Sequence, residues 1–167
     1  SSASRPLATD MPATLRFHAE RDIVYGGRTW RMVMDGTPNS LDPLLMQGMP
    51  QPITAATGMD ALTHAVEAFI NRWPHADTEQ HCVAAVRMIF GNLQRAYDDG
   101  NDMEAREAMA LASFYAGLAF TKAYVGYVHA FSHKLGGMYG VPHGLANAIT
   151  LPYVLDFIKD APLARER

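Results

Sequence analysis

The sequence is short of cysteine, of clustered positive charge and of long apolar runs. Cys82 is the single cysteine, so no intrachain disulfide forms, and a reducing, cytoplasmic location is expected. Lys and Arg number 14 against 17 Asp and Glu, for a formal net charge of -3. No basic block stands ready to neutralise a run of phosphates, so nucleic acid is not an expected partner. No apolar run approaches the ~20 residues needed to cross a bilayer, which sets membranes aside. The opening SSASRPLATDMPATLR lacks the continuous apolar core of a signal peptide. What is present is core-forming content: 49% of the 167 residues are hydrophobic and 19% charged, the balance of a globular domain.

Residues 1 to about 14 are rich in Ser, Ala, Thr and Pro and read as a loose end. Behind them, Asp22-Ile23-Val24-Tyr25 and Arg28-Thr29-Trp30-Arg31-Met32-Val33-Met34 flank Gly26-Gly27, a pattern that predicts a hairpin. From Asp35 to Pro52 four prolines and two glycines mark a connector. From Thr54 on the periodicity is helical. Thr54 or Thr57 is placed to cap a helix running to Asn71, with Leu62, Val66 and Phe69 at spacings of 4 and 3. Trp73-Pro74-His75 ends it. Further helices are predicted over Thr78 to Tyr97, Met103 to about Lys122 and Val125 to Met138, and from His143 onward. The third has few charges and should be buried. The expected architecture is mainly α, a helical bundle behind a small β-hairpin. The expected division is residues 1–50 against residues 51–167.

Chemistry concentrates in two stretches of the helical part. In Gly58-Met59-Asp60-Ala61-Leu62-Thr63-His64, Asp60 and His64 stand at i and i+4, on one helix face. That pair alone is equally an ordinary hydrogen bond. The second stretch, HAFSHKLGGMYGVPHG, puts His129 and His133 on one face and His143 just past Pro142, where the chain turns back. Small and apolar neighbours surround them, and buried imidazoles in such company require partners. One carboxylate and three imidazoles suit Fe(II) or Zn(II) with a position open for substrate. No HExxH motif occurs. Glu67 follows His64 by three, the reverse of the Glu-x-x-His order of di-iron bundles, and is given no role. His18, His75 and His81 fall outside both stretches and are expected on the surface.

The strings ATGMDALTHAVEAF, LASFYAGLAF and VHAFSHKLGGMYGVPHGLANAITLP resemble the helical domain of the iron-containing (group III) alcohol dehydrogenase family. The resemblance runs from about Asp42 to Phe157 and keeps the family's order and spacing. It implies a helical domain of the dehydroquinate synthase-like type. It implies metal ligation by Asp60, His64, His129 and His143. It also implies a further histidine, His133, between metal and nicotinamide, and a cofactor contact near Leu44 and Leu45, with Leu45 the chosen position. The implied cofactors are Fe2+, with Zn2+ as the substitute, and NAD or NADP. The implied reaction is reversible hydride transfer between a small alcohol or aldehyde and the nicotinamide. His133 is the catalytic candidate, because imidazole passes protons near neutral pH.

Members of the family are roughly twice as long. The glycine-rich phosphate turns of their nucleotide-binding domain have no counterpart here, and Gly26-Gly27 is not followed by a helix. Residues 1–50 are accordingly expected to be the end of that domain, and residues 51–167 a helical domain lacking its last helices. Two readings are open: a truncated alcohol dehydrogenase, or a non-catalytic metal-binding module. Apolar helix faces left uncovered would favour self-association into a homo-oligomer.

Overall fold

The computed structural model describes residues 17–25, 28–36, 42–71 and 76–160. The expected Gly26-Gly27 turn and the Trp73-Pro74-His75 helix stop lie outside them. The chain divides into two compact units, 1–42 and 43–167. In the first, β1 (Phe17–Tyr25) and β2 (Arg28–Gly36) pair antiparallel, Phe17 opposite Gly36 and Tyr25 opposite Arg28.

The second unit is helical. A 3-10 turn, Pro43–Met46, precedes α1 (Gln51–Ile70), α2 (Ala76–Asp98), α3 (Met103–Ala123), α4 (Tyr127–Tyr139) and α5 (His143–Ile158). The 3-10 turn packs against α3, and so the connector travels with the helices. Helix α1 is the hub, packed against α2, α3 and α5, while α4 packs on α5. Among the described residues no single helix is long and apolar enough to cross a membrane.

The start of α1 corrects the sequence expectation. Thr54 and Thr57 do not cap it; Pro50 is the N-cap residue, and a proline occupies the first turn. Proline is tolerated there because that N–H has no intrahelical partner to lose. The Thr57 hydroxyl instead donates back to the Ile53 carbonyl at 2.8 Å, inside the helix. Helix α3 has a side-chain cap of the usual kind, with Asp102 Oδ1 accepting from the Ala105 N–H at 3.0 Å.

Small residues set the spacing of the bundle. Ala61, Ala65, Ala68, Ala85, Ala96, Ala105, Ala112, Ala116, Ala119 and Ala123 are all buried, so backbones approach closely. The tightest approach is between α5 and α1. A Cβ on Gly144 would collide with the Ala56 carbonyl oxygen, so only glycine lets the first turn of α5 press on α1. That contact, one α1 turn before Asp60, brings the neighbouring His143 to the Asp60 carboxylate. Just before that contact, at the start of α1, buried Arg106 donates to Thr54 Oγ1 (2.8 Å), the Gly100 carbonyl (3.2 Å) and the Met49 carbonyl (3.3 Å), tying α3 to the connector.

Candidate metal centre

Three imidazoles from three helices converge on one carboxylate oxygen. Helix α1 supplies Asp60 and His64, α4 supplies His129, and α5 supplies His143. Asp60 Oδ1 lies 3.8 Å from His64 Nδ1, 3.4 Å from His129 Nε2 and 3.2 Å from His143 Nε2. The ligand atoms of Asp60, His64 and His129 all lie within 4.8 Å of one another. Phe120, His64 and His129 form a stack with successive ring centroids 4.3 Å apart, and His143 lies tilted against His129 at 5.2 Å. Phe120 ends the stack beyond His64. His129 is 3% exposed and His143 39%, so the cluster opens toward solvent on the α5 side.

Electrostatics separate the roles of the imidazoles. Burial pushes His64 down to about 4 despite the pull of Asp60, so it is neutral near pH 7, with a lone pair free. For His129 burial acts downward too, but hydrogen bonds to Asp60 and Glu67 outweigh it and raise the ring to about 9. Burial would raise Asp60, yet the His129 hydrogen bond and the neighbouring imidazoles hold it below the ordinary carboxylate value. A proton on His129 Nε2 thus lies between His129 and Asp60, where a cation would satisfy both.

Two residues of the cluster carry no role in the sequence reading. Glu67, buried, takes the His129 Nδ1–H at 2.5 Å and the Val128 backbone N–H at 2.7 Å. An ionised carboxylate only accepts, so the Nδ1 proton is fixed and Nε2 points toward Asp60. Asn147 donates its Nδ2–H to Asp60 Oδ1 at 2.7 Å, with His143 Nε2 at 3.2 Å and His129 Nε2 at 3.4 Å. Its buried Oδ1 has no partner among the described residues. Both were detectable as helical spacing: Glu67 stands at i+7 from Asp60, and Asn147 at i+4 from His143.

The donor set fits a divalent transition metal. It joins one carboxylate oxygen to three imidazole nitrogens, without thiolate, and the Glu67–His129 pair is the outer carboxylate that metal-ligating histidines characteristically carry. His133 sits at the rim, exposed, its ring stacked 5.2 Å from His143 and edge-on 5.9 Å from His129. Leu45 is 86% exposed on the 3-10 turn, and no bond among the described residues joins it to the cluster. The surface expectation for His81 is overturned. It is 6% exposed and stacked 5.5 Å from Tyr115, because α2 turns that face inward against α3.

Comparison with known proteins bears on the family of the helical unit. The family model described as Fe-containing alcohol dehydrogenase family, C-terminal, matches residues 54–167. The 1,3-propanediol dehydrogenase of Citrobacter freundii is 52% identical over 126 residues, which is 75% of this chain and 32% of that protein. Alcohol dehydrogenase 4 of Schizosaccharomyces pombe is 48% identical over 75% of this chain and 30% of its own length. Among solved structures, a 1,3-propanediol oxidoreductase superposes with a TM-score of 0.71 at 52% identity, covering 72% of this chain and 32% of that one. Sulfoacetaldehyde reductase from Bifidobacterium kashiwanohense, in complex with NAD+, gives 0.71 at 39% identity, covering 74% and 33%. The chain spans about a third of the length of the curated relatives it matches.

Proposed function

The chain belongs to the Fe-containing alcohol dehydrogenase family, and from that premise we propose that Asp60, His64, His129 and His143 hold one divalent metal. We propose that this metal forms the substrate side of an NAD(P)-dependent alcohol dehydrogenase. The observation that carries the reading is the convergence of three imidazoles on Asp60 Oδ1 within 3.2–3.8 Å. Four uncoordinated groups of this kind gain little from crowding; a shared cation gives them a reason to meet. A bound divalent ion supplies Lewis acidity to an alcohol or carbonyl oxygen.

The residues do the rest. Asp60 contributes the anionic donor and His64 a neutral one, kept neutral by burial. Phe120 backs the His64 ring. The open side, where His143 and His133 lie, is where a small alcohol or aldehyde enters. His133 is placed there to carry the hydroxyl proton away to solvent. Fe2+ is the metal we assign, with Zn2+ able to take the site because it binds such nitrogen donors more tightly. The nicotinamide dinucleotide meets the chain near Leu45, and the paired strands of residues 1–50 are read as the end of a nucleotide-binding domain.

The test is elemental analysis of the purified protein and its variants. One metal per chain is expected, lost in His129→Ala and in His143→Ala. Full metal content in both variants overturns the assignment. In the protein as encoded, aldehyde-dependent NAD(P)H oxidation should vanish with His64→Ala. Stoichiometric metal without any such oxidation would reduce the site to metal binding alone.

A further inference from the structure

Asp60, His64 and Glu67 stand at i, i+4 and i+7 along α1 and Asn71 caps its C-terminus, so the helix reads as two metal donors followed by two latches. The latches grip the break between α3 and α4, where the chain bends by 106°. Asn71 Nδ2 donates to the Ala123 carbonyl at 2.6 Å on the α3 side. Glu67 takes the Val128 N–H at 2.7 Å on the α4 side, with the His129 N–H at 3.4 Å. The residues between are held in a costly shape. Tyr124 has φ 67 and ψ 178, a region populated almost only by glycine. A Cβ on Gly126 would stand 3.0 Å from Glu67 Oε1.

We infer that Glu67 is the positioning residue of the metal centre: Oε2 fixes the His129 ring so that Nε2 faces Asp60, while Oε1 fixes the helix start that carries His129. The inference rests on the proposed metal site. Glu67 is not itself a ligand, because the carboxylate that grips Nδ1 stands at the edge of the ring away from Nε2. Nor is it a bystander. It is 1% exposed, and a buried carboxylate is costly unless donors surround it. Here the donors are the ring and the first turn of α4, whose dipole also favours a negative charge. Both oxygens are needed. Glutamine has one acceptor for two donors. With its oxygen turned to Val128, its amide donates to Nδ1, and the neutral imidazole then carries its proton on Nε2, the wrong nitrogen for a ligand. With its oxygen turned to the ring, the α4 start loses its acceptor.

The experiment is a Co(II) titration of the full chain, followed by d–d absorption, with helix content and melting temperature measured in parallel. Wild type should saturate at one Co(II). Glu67→Gln should bind ~10–100-fold more weakly, with an altered spectrum at saturation and helix content retained. Glu67→Asp, which keeps both acceptors but falls one methylene short, should lie between. Ser132→Ala is the control for simple structural loss. Ser132 is fully buried on α4 and bonded to Thr150, and its variant should melt earlier with an unchanged Co(II) spectrum. Should Glu67→Gln fail to fold, Gly126→Ala keeps the carboxylate and displaces it, and a several-fold weaker affinity is expected. A folded Glu67 or Gly126 variant with wild-type affinity and spectrum overturns the positioning role. A folded wild type that takes up no Co(II) overturns the metal reading itself, and Glu67's role with it.

Discussion

Helix α1 carries one polar cluster at its start and another at its middle, and the two are built on opposite plans. At its start, Arg106 sends three donors to three protein oxygens and is 1% exposed. Each guanidinium nitrogen has a protein oxygen to donate to, so the cluster is closed and structural. Farther along, Asp60 and three histidines bring acceptors and lone pairs together, leave the Asn147 Oδ1 unpaired, and stay open through His143. A closed polar cluster holds a fold together, whereas an open one with surplus acceptors is waiting for a cation. Burial alone would not have told them apart; the balance of donors and acceptors does.

The comparison breaks most sharply on metal content. Asp60→Ala should abolish stoichiometric metal while the helices persist, whereas Arg106→Met should leave the stoichiometry unchanged in whatever fraction folds. Plasma mass spectrometry beside circular dichroism reads both, and metal retained by Asp60→Ala would erase the distinction. Stability should split the other way. Arg106→Met leaves buried carbonyls unpaired and should cost ~2–4 kcal/mol, read as a lower denaturation midpoint. Wild-type stability in that variant would mean that solvent reaches those carbonyls.

Removing the metal is the next largest effect. A ligand present at ~100 times its Kd stabilises by ~2.7 kcal/mol, so chelation should lower the melting temperature by on the order of 5–10 °C. The same treatment should leave His129→Ala unmoved.

A smaller effect sharpens what burial does away from either cluster. Burial lowers the pKa of His81, opposed by Asp77 and reinforced by Lys122. The unfolded chain therefore takes up a proton near pH 6.5 before the folded one does. Stability from keeping His81 neutral is complete above that pH and lost as pH falls through and below it. His81→Phe keeps a ring against Tyr115 and should flatten the acid limb of a melting-temperature profile; an unchanged slope would place the titration elsewhere.

The smallest expected change is at Tyr124. Glycine there relieves backbone strain of ~1–3 kcal/mol but adds disorder to the unfolded chain worth ~0.4–1 kcal/mol. A net gain of about 1 kcal/mol in chemical denaturation is expected, and a loss would mean that the exposed ring makes contacts of its own.

Much of the helical unit was legible residue by residue. The spacing of Leu62, Val66 and Phe69 located α1, composition and turn-forming breaks located the other four helices of the described residues, and Asp60 and His64 were readable as one face because a helix turn fixes that geometry locally. Boundaries were less legible. The start of α1 lay hidden behind Pro50 and Pro52, which read as a connector although the first turn of a helix accepts proline. Helix α4 begins at Tyr127 rather than Val125, because Tyr124 breaks the backbone there and Glu67 caps the first turn of α4. His81 was misjudged because a histidine among polar neighbours in sequence says nothing about which side of α2 meets α3.

The sequence by itself determined the donor types, their helical spacing and the family they resemble, since each is a property of short stretches. Only the tertiary structure decided that Glu67 reaches His129 across 62 residues and that Asn147 reaches Asp60 across 87. Those contacts depend on the 106° bend between α3 and α4 and on the approach of Gly144 to Ala56. Both are set by how helices stack against one another. Periodicity tells which residues share a face, but the angle at which two faces meet is fixed by packing, and the metal centre is built at that meeting.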